Sequence, residues 1–88
     1  MIEQEVKIVN RAGLHTRPAA SLVKLAAKFN SEVTLIREGF AINAISIIGV
    51  MTLAAEKGSK LILQVEGDDE DIAIKEISEL FNTGFGED

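Results

Sequence analysis

The side chains best suited to chemistry lie together in one short stretch, residues 12–20, which reads AGLHTRPAA. It holds the only histidine of the chain, His15, and the only proline, Pro18, and Arg17 follows the histidine by two positions. A neutral imidazole carries a nitrogen lone pair and can act as a nucleophile. A guanidinium presents paired N–H donors that fit phosphate oxygens. The pattern predicts an imidazole that accepts a phosphoryl group beside a cationic side chain.

A helix start next to His15 favours the same chemistry. Proline is tolerated in the first turn of a helix, so Pro18 places the helix start within two or three residues of His15. The unpaired N–H groups and the dipole at that end disfavour a protonated imidazole and favour a bound anion. By spacing alone, however, a lone histidine before a helix is more often a surface residue or a weak cap.

Other chemistries have less support from the same residues. One histidine without any cysteine cannot build a usual zinc site, so we expect no metal and no cofactor. A serine–histidine triad needs an acid that orients the ring, and the sequence places none near His15. Without cysteine, neither a disulfide nor thiol chemistry is available.

Hydrophobic periodicity predicts the elements that must position these residues. Alternating apolar residues predict strands at IEQEVKIV, EVTLI, FAIN and KLILQVEG, with a hairpin turn around Gly39. An apolar repeat of three to four residues predicts a helix from Thr16 to Phe29. The order becomes β-α-β-β-α-β-α, which indicates an α+β fold with a mainly antiparallel four-stranded sheet covered on one face.

The two later helices have recognisable ends. Ser46 is the expected N-cap of a short second helix, which we expect Gly58 to end. Asp68 or Asp69 is the expected cap of the third helix, whose first turn is acidic. The final TGFGED is expected to be a frayed tail.

The second helix is apolar nearly all round, and a thin domain cannot bury every side of it. We expect Val50 and Leu53 to pack inward and the other apolar residues to form an exposed docking patch. The alternative is that a neighbouring loop covers them. The expected patch is Ile47, Ile48 and Met51, with Thr16, Ala20 and Lys24 at its rim.

Composition narrows the class of protein. The 88 residues fit one small domain, 1–88, and no apolar run is long enough to cross a membrane. Residues 66–88 carry nine of the 14 acids, and the bases elsewhere are too thinly spread for nucleic-acid binding. An acidic protein partner for the more basic first part is the better expectation. The first residues lack a signal peptide, so we expect a cytoplasmic protein.

Two separated motifs give the chain a resemblance to a known family. GLHTRPAA and SIIGVMTLAAEKGSKL resemble the active-site and regulatory-serine regions of HPr, the histidine-containing phosphocarrier family of the bacterial sugar phosphotransferase system. The resemblance implies an open-faced β-sandwich with three helices on one side of the sheet. It also implies that Enzyme I phosphorylates Nδ1 of His15, that Arg17 binds the phosphate, and that IIA domains of sugar permeases receive it. Such a protein is a carrier and not an enzyme in its own right.

The resemblance further implies regulation at Ser46 by a kinase/phosphorylase, next to the expected docking patch. Three positions depart from the family pattern: Ala12 is often polar there, and a lysine is common both where this chain has Ile45, after Ala44, and where it has Phe40, after Gly39. These departures leave open a nitrogen-related or regulatory paralogue that acts mainly through protein contact. We expect a monomer.

Overall fold

The computed structural model describes residues 1–87, and its elements follow the predicted order. The strands are β1 (Ile2–Lys7), β2 (Glu32–Arg37), β3 (Phe40–Asn43) and β4 (Lys60–Glu66). The helices are α1 (Thr16–Ala26), α2 (Ile47–Met51) and α3 (Glu70–Asn82), followed by a 3-10 turn at Gly84–Gly86.

The four strands form one antiparallel sheet in the order β1-β4-β2-β3. In this register Val6 lies opposite Leu61, and Leu35 lies opposite Leu63. All four of these side chains are buried, because alternate residues of a strand point to the same face of the sheet. The predicted α+β architecture, an open-faced β-sandwich with the helices on one face, is therefore confirmed.

The core fills the space between that face and the helices. Leu22 of α1 and Ile77 and Phe81 of α3 are fully buried there. Removing each such side chain from water stabilises the fold by about 1.5–3 kcal/mol. This packing fixes where α1 starts relative to the sheet, and the start of α1 carries His15.

Two helix ends differ from the sequence expectation. The α1 helix ends at Ala26 instead of Phe29, because the chain tightens into bonds three residues apart, from Lys28 N to Leu25 O and from Phe29 N to Ala26 O. The prediction that Gly58 ends the second helix is wrong, since α2 ends at Met51. Its following carbonyls are held from outside the helix: Arg37 Nη1 donates to Leu53 O at 2.8 Å and to Ala54 O at 2.9 Å.

The start of α3 also departs from the expected capping. Asp69 is the N-cap residue, but its side chain does not cap the helix. Its carboxylate instead accepts hydrogen bonds from Asn30 N at 2.8 Å, Ser31 N at 3.0 Å and Ser31 Oγ at 2.5 Å. The Ser31 hydroxyl and then the Asn30 amide hold the pKa of Asp69 below its usual range. Asp69 thus ties α3 to the loop between α1 and β2.

Among residues 1–87, no helix is long and apolar enough to cross a membrane.

Candidate functional site

A tight turn positions the residues that precede α1. Gly13 N donates to Asn10 O at 3.2 Å, and Asn10 Nδ2 donates to Gly13 O at 2.8 Å. Gly13 has φ +75°, and a Cβ there would lie 2.7 Å from Ala55 O, so only glycine fits. The next amide, Leu14 N, donates to Ala55 O at 2.8 Å. The chain therefore reaches α1 along a fixed path.

His15 is the N-cap residue of α1, in extended conformation at φ −84° and ψ −166°. Its carbonyl accepts from Ala19 N at 3.0 Å, but its side chain makes no capping hydrogen bond. Pro18 has no N–H, so the first turn presents the amides of Thr16 and Arg17, and neither has a hydrogen-bond partner among residues 1–87. These amides and the helix dipole can hold an anion beside the ring.

The imidazole itself is turned toward the C-terminal end of the chain. His15 Nε2 lies 3.0 Å from Glu87 Oε1 and 3.2 Å from Glu87 Oε2. An ionised carboxylate only accepts hydrogen bonds, so Nε2 carries a proton and donates it. In the neutral ring, Nδ1 then keeps its lone pair. The expectation that no acid orients the ring is wrong, because Glu87 does so. Local spacing did not reveal this contact, since Glu87 lies 72 positions from His15 in the chain.

Asn10 holds the carboxylate in place. Its Nδ2 donates to Glu87 Oε1 at 3.0 Å as well as to Gly13 O, and two acceptors on one side fix which end of the amide faces them. The hydrogen bond with His15 holds the pKa of Glu87 below its usual range, against the effect of burial, and the bond from Asn10 adds to this lowering. Arg17 contributes further by its charge. Glu87 is therefore ionised near neutral pH.

The C-terminal turn delivers Glu87 to the site, so the expectation of a frayed tail is wrong for the residues described; Asp88 lies outside them. Phe85 is buried, and its ring lies edge-on to Phe81 with centroids 4.9 Å apart. Gly84, at φ +65°, packs against Asn10. Aromatic burial anchors the segment, because it outweighs the entropy of a free terminus.

An open depression of about 490 Å³ surrounds the exposed edge of the ring. Arg17 lines it, together with a residue that sequence reasoning missed, Arg11. Neither arginine forms an ion pair with a carboxylate of residues 1–87. The depression therefore combines one imidazole with two available guanidinium groups. The other lining residues are Ala12, Gly86 and Glu87.

The expected docking patch lies on α2. Val50 and Leu53 are buried and Ile47, Ile48 and Met51 are exposed, with Ile48 at 76%. Thr16 Oγ1 contacts Met51 Sδ at 3.7 Å, so the patch adjoins the start of α1. Of the predicted rim, Thr16 and Lys24 are exposed and Ala20 is half-buried. Ile45 is 80% exposed beside the patch and was not predicted to belong to it.

Ser46 is the N-cap of α2, as predicted. Its backbone is extended, and its Oγ accepts a hydrogen bond from Gly49 N at 3.2 Å. The residue is exposed and directly precedes Ile47 of the patch. No cluster of three or more metal-ligating side chains occurs in the part of the chain that the structure describes.

Comparison with known proteins agrees with this geometry. The family model described as the PTS HPr component phosphorylation site matches residues 2–83. The phosphocarrier protein HPr of Treponema pallidum is 47% identical over 88 residues, which cover all of both chains. This chain belongs to the HPr family. It is a phosphocarrier of the phosphotransferase system, and the family is one of carriers and not of enzymes.

Solved HPr structures show the same fold. HPr-C-His from Thermoanaerobacter tengcongensis is 42% identical and has a TM-score of 0.95, covering 100% of this chain and 99% of its own. An HPr dimer from the same organism is also 42% identical and has a TM-score of 0.78, covering 99% of this chain and 100% of its own. Because HPr structures include a dimer, the expectation of a monomer stays open for this chain.

Proposed function

We propose that His15 is the phosphoryl acceptor of this HPr-family protein and that Nδ1 is the reacting atom. Enzyme I, charged by phosphoenolpyruvate, is the proposed donor, and IIA domains of sugar permeases are the proposed recipients. The observation that carries the proposal is the uncapped start of α1, where Thr16 and Arg17 leave their amides open beside a half-exposed ring. A phosphoryl group needs little more than this positioning and charge neutralisation.

The transfer balances without a cofactor. The Nδ1 lone pair of His15 forms the new bond to phosphorus, and the bond from phosphorus to the donor nitrogen of Enzyme I breaks. The electron pair of that bond stays on the donor nitrogen. Arg17 lines the depression around the ring and is proposed to bind the oxygens of the transferred group. In donation, the histidine nitrogen of a IIA domain forms the bond to phosphorus and the bond from phosphorus to Nδ1 of His15 breaks. Its electron pair returns to Nδ1.

The exposed face of α2 is proposed to receive both partners. Ile47, Ile48 and Met51 form an apolar surface next to His15, of the kind that marks an interface. Lys24 supplies positive charge at the rim together with Thr16 and Ala20, which fits an acidic partner. Access to this face is needed in every transfer, so we propose that the 88-residue domain works as a cytoplasmic monomer.

Ser46 is the proposed regulatory site, read by a kinase/phosphorylase. Its hydroxyl is exposed at the edge of the patch. A phosphate there stays compatible with α2, because the helix start has unpaired donors. It also places a dianion beside the docking face and repels an acidic partner. Ile45, after Ala44, stands where a lysine is common before this serine, so a nitrogen-related or regulatory paralogue, acting mainly by protein contact, is the alternative.

The decisive experiment incubates the protein with Enzyme I and radiolabelled phosphoenolpyruvate. We expect acid-labile, base-stable label on the wild type and none on His15→Ala. Ser46→Ala is the matched control and should label as the wild type does. Absence of label on the wild type, with a known HPr labelled in parallel, would exclude the carrier reaction proposed for His15. An ATP-dependent kinase that labels the wild type but not Ser46→Ala would support the regulatory role.

A further inference from the structure

The ring of His15 has two nitrogens, and only one of them is held by the protein. Nε2 is within 3.2 Å of both carboxylate oxygens of Glu87. The imidazole is 41% exposed and the Glu87 side chain only 16%, so the carboxylate approaches the ring from the inner side. No residue among 1–87 forms a hydrogen bond with Nδ1. The two nitrogens therefore differ in availability before any donor arrives.

We propose that Glu87, held by Asn10, directs the phosphoryl group to Nδ1 and stabilises the ring once it is phosphorylated. This rests on the proposed function of His15 but adds a positioning role for a residue that does not touch the phosphoryl group. The carboxylate keeps a proton on Nε2 and covers that nitrogen. Attack by Nε2 would require Glu87 to move away and the ring to lose that proton.

The same contact matters after transfer. When Nδ1 forms a bond to phosphorus while Nε2 keeps its proton, the ring gains a positive charge. Glu87 accepts the hydrogen bond from the Nε2–H of this charged ring and stabilises it, as the buried aspartate of a serine protease stabilises its imidazolium. A protonated phosphoimidazole is also the better phosphoryl donor, because its nitrogen leaves as a neutral imidazole. Glu87 therefore favours both acceptance and donation.

A carboxylate near a phosphoryl dianion carries a cost, and the depression offsets it. Arg17 and Arg11 line the same depression without an ion-pair partner among residues 1–87. Arg17 already interacts with the Glu87 charge. The two guanidinium groups bring two positive charges against one carboxylate. A phosphoryl dianion on Nδ1 thus enters a region of net positive charge although Glu87 is close.

Buried neighbours hold Glu87 in position, so its contact with His15 is part of the folded structure. Phe85 fixes the turn before it, and the Asn10 side chain, which is 1% exposed, donates to its carboxylate. Glu87 itself lies beyond the last buried residue of the described chain. Substitution of Glu87 should therefore leave the fold intact, which a thermal melt followed by circular dichroism can verify.

The test uses a small-molecule donor, so that it does not depend on Enzyme I. Wild type, Glu87→Ala and Glu87→Gln are phosphorylated with phosphoramidate, and phosphorus–nitrogen NMR assigns the ring nitrogen that bears the phosphoryl group. We expect Nδ1-phosphohistidine alone in the wild type and a mixture with the Nε2 isomer in Glu87→Ala. Glu79→Ala, which removes an exposed acid of α3, is the matched control and should behave as the wild type.

Transfer kinetics and ring tautomer supply the second readout. We expect Glu87→Ala to slow transfer to and from Enzyme I about tenfold, the scale of one charge-assisted hydrogen bond at a half-exposed site. Glu87→Gln, which retains an acceptor without the charge, should be intermediate. A pure Nδ1 product in Glu87→Ala, with unchanged nitrogen shifts of the free ring, would overturn the proposal. Failure of Enzyme I to label any variant would instead exclude the proposed function.

Discussion

The helices α1 and α2 both begin at a residue able to carry a phosphoryl group, and they use that residue in opposite ways. The Ser46 hydroxyl bonds to its own helix, accepting from Gly49 N. The His15 ring makes no bond to its own helix and is held by Glu87 instead. The backbone of both residues is extended, as an N-cap requires. The difference lies only in where the side chain finds its partner.

This difference shows that a helix start can be used for stability or kept open for chemistry. An N-capping side chain contributes about 1 kcal/mol to stability. The α1 helix gives up that contribution and keeps the amides of Thr16 and Arg17 available. The α2 helix, which has only five residues, is stabilised by the capping hydrogen bond of Ser46. The comparison therefore predicts separate effects on activity and stability at the two positions.

The largest effect is expected from His15→Asn compared with Ser46→Ala. Asparagine is a good N-cap but cannot accept a phosphoryl group, so acceptance should be lost completely. The free energy of unfolding should not fall and should rise by up to about 1 kcal/mol, because capping outweighs a half-exposed contact with Glu87. Ser46→Ala should lower it by about 1 kcal/mol and keep acceptance. Urea unfolding and labelling measure both; any fall in the free energy of unfolding of His15→Asn beyond the error of the measurement contradicts the comparison.

The next largest effect is expected from a comparison of alanine substitutions at Gly13, before α1, and Gly49, in α2. Gly13→Ala places a Cβ 2.7 Å from Ala55 O at a positive φ, so we expect a loss of about 2–4 kcal/mol and weaker phosphoryl acceptance. Gly49→Ala in α2 brings its Cβ only to ordinary contact, 3.5 Å from the Ser46 Cβ. It should be neutral or stabilise by up to about 1 kcal/mol, since alanine favours helix. Equal losses in the two variants, measured by urea unfolding, would show that the turn before α1 is not specially constrained.

The smallest effect is a difference in acid sensitivity. The pKa of Glu87 is lowered, chiefly by its hydrogen bond with His15, so its contribution to stability is present above the ordinary carboxyl pKa. That contribution is lost as the pH falls through the lowered value. Backbone amide shifts at Leu14 and Thr16 should therefore change in acid, whereas those at Ile47 and Gly49 should not. Glu87→Gln should remove the change at α1, and a change that persists in this variant would assign it to another group.

Local sequence signals were sufficient for most of the fold. Strict alternation at Val6 and Ile8 and in β4 predicted strands with one buried face, and Pro18 located the start of α1. Ser46 was recognised as a cap because serine satisfies the amides of its own next turn. Such signals work because the interacting groups lie within a few residues of one another.

The end of α2 and the orientation of the imidazole could not be predicted, because both involve side chains from distant parts of the chain. Arg37, on β2, holds the carbonyls after α2, and no nearby residue signals that contact. In the sequence, Asn10 and Arg11 looked like ordinary turn residues, so their places beside His15 were not predicted. The two aromatic residues Phe81 and Phe85 were the one available hint that the C-terminal segment is anchored.

The amino-acid sequence was enough to predict the imidazole proposed to react, the helix that starts beside it and the apolar face of α2. Each depends on residue types and short spacings, which backbone geometry converts directly into position. Which ring nitrogen is held and which stays open became clear only from the folded arrangement of the chain. That choice depends on a 3.0 Å contact between residues 72 positions apart, and it exists only once Phe85 is buried against the core.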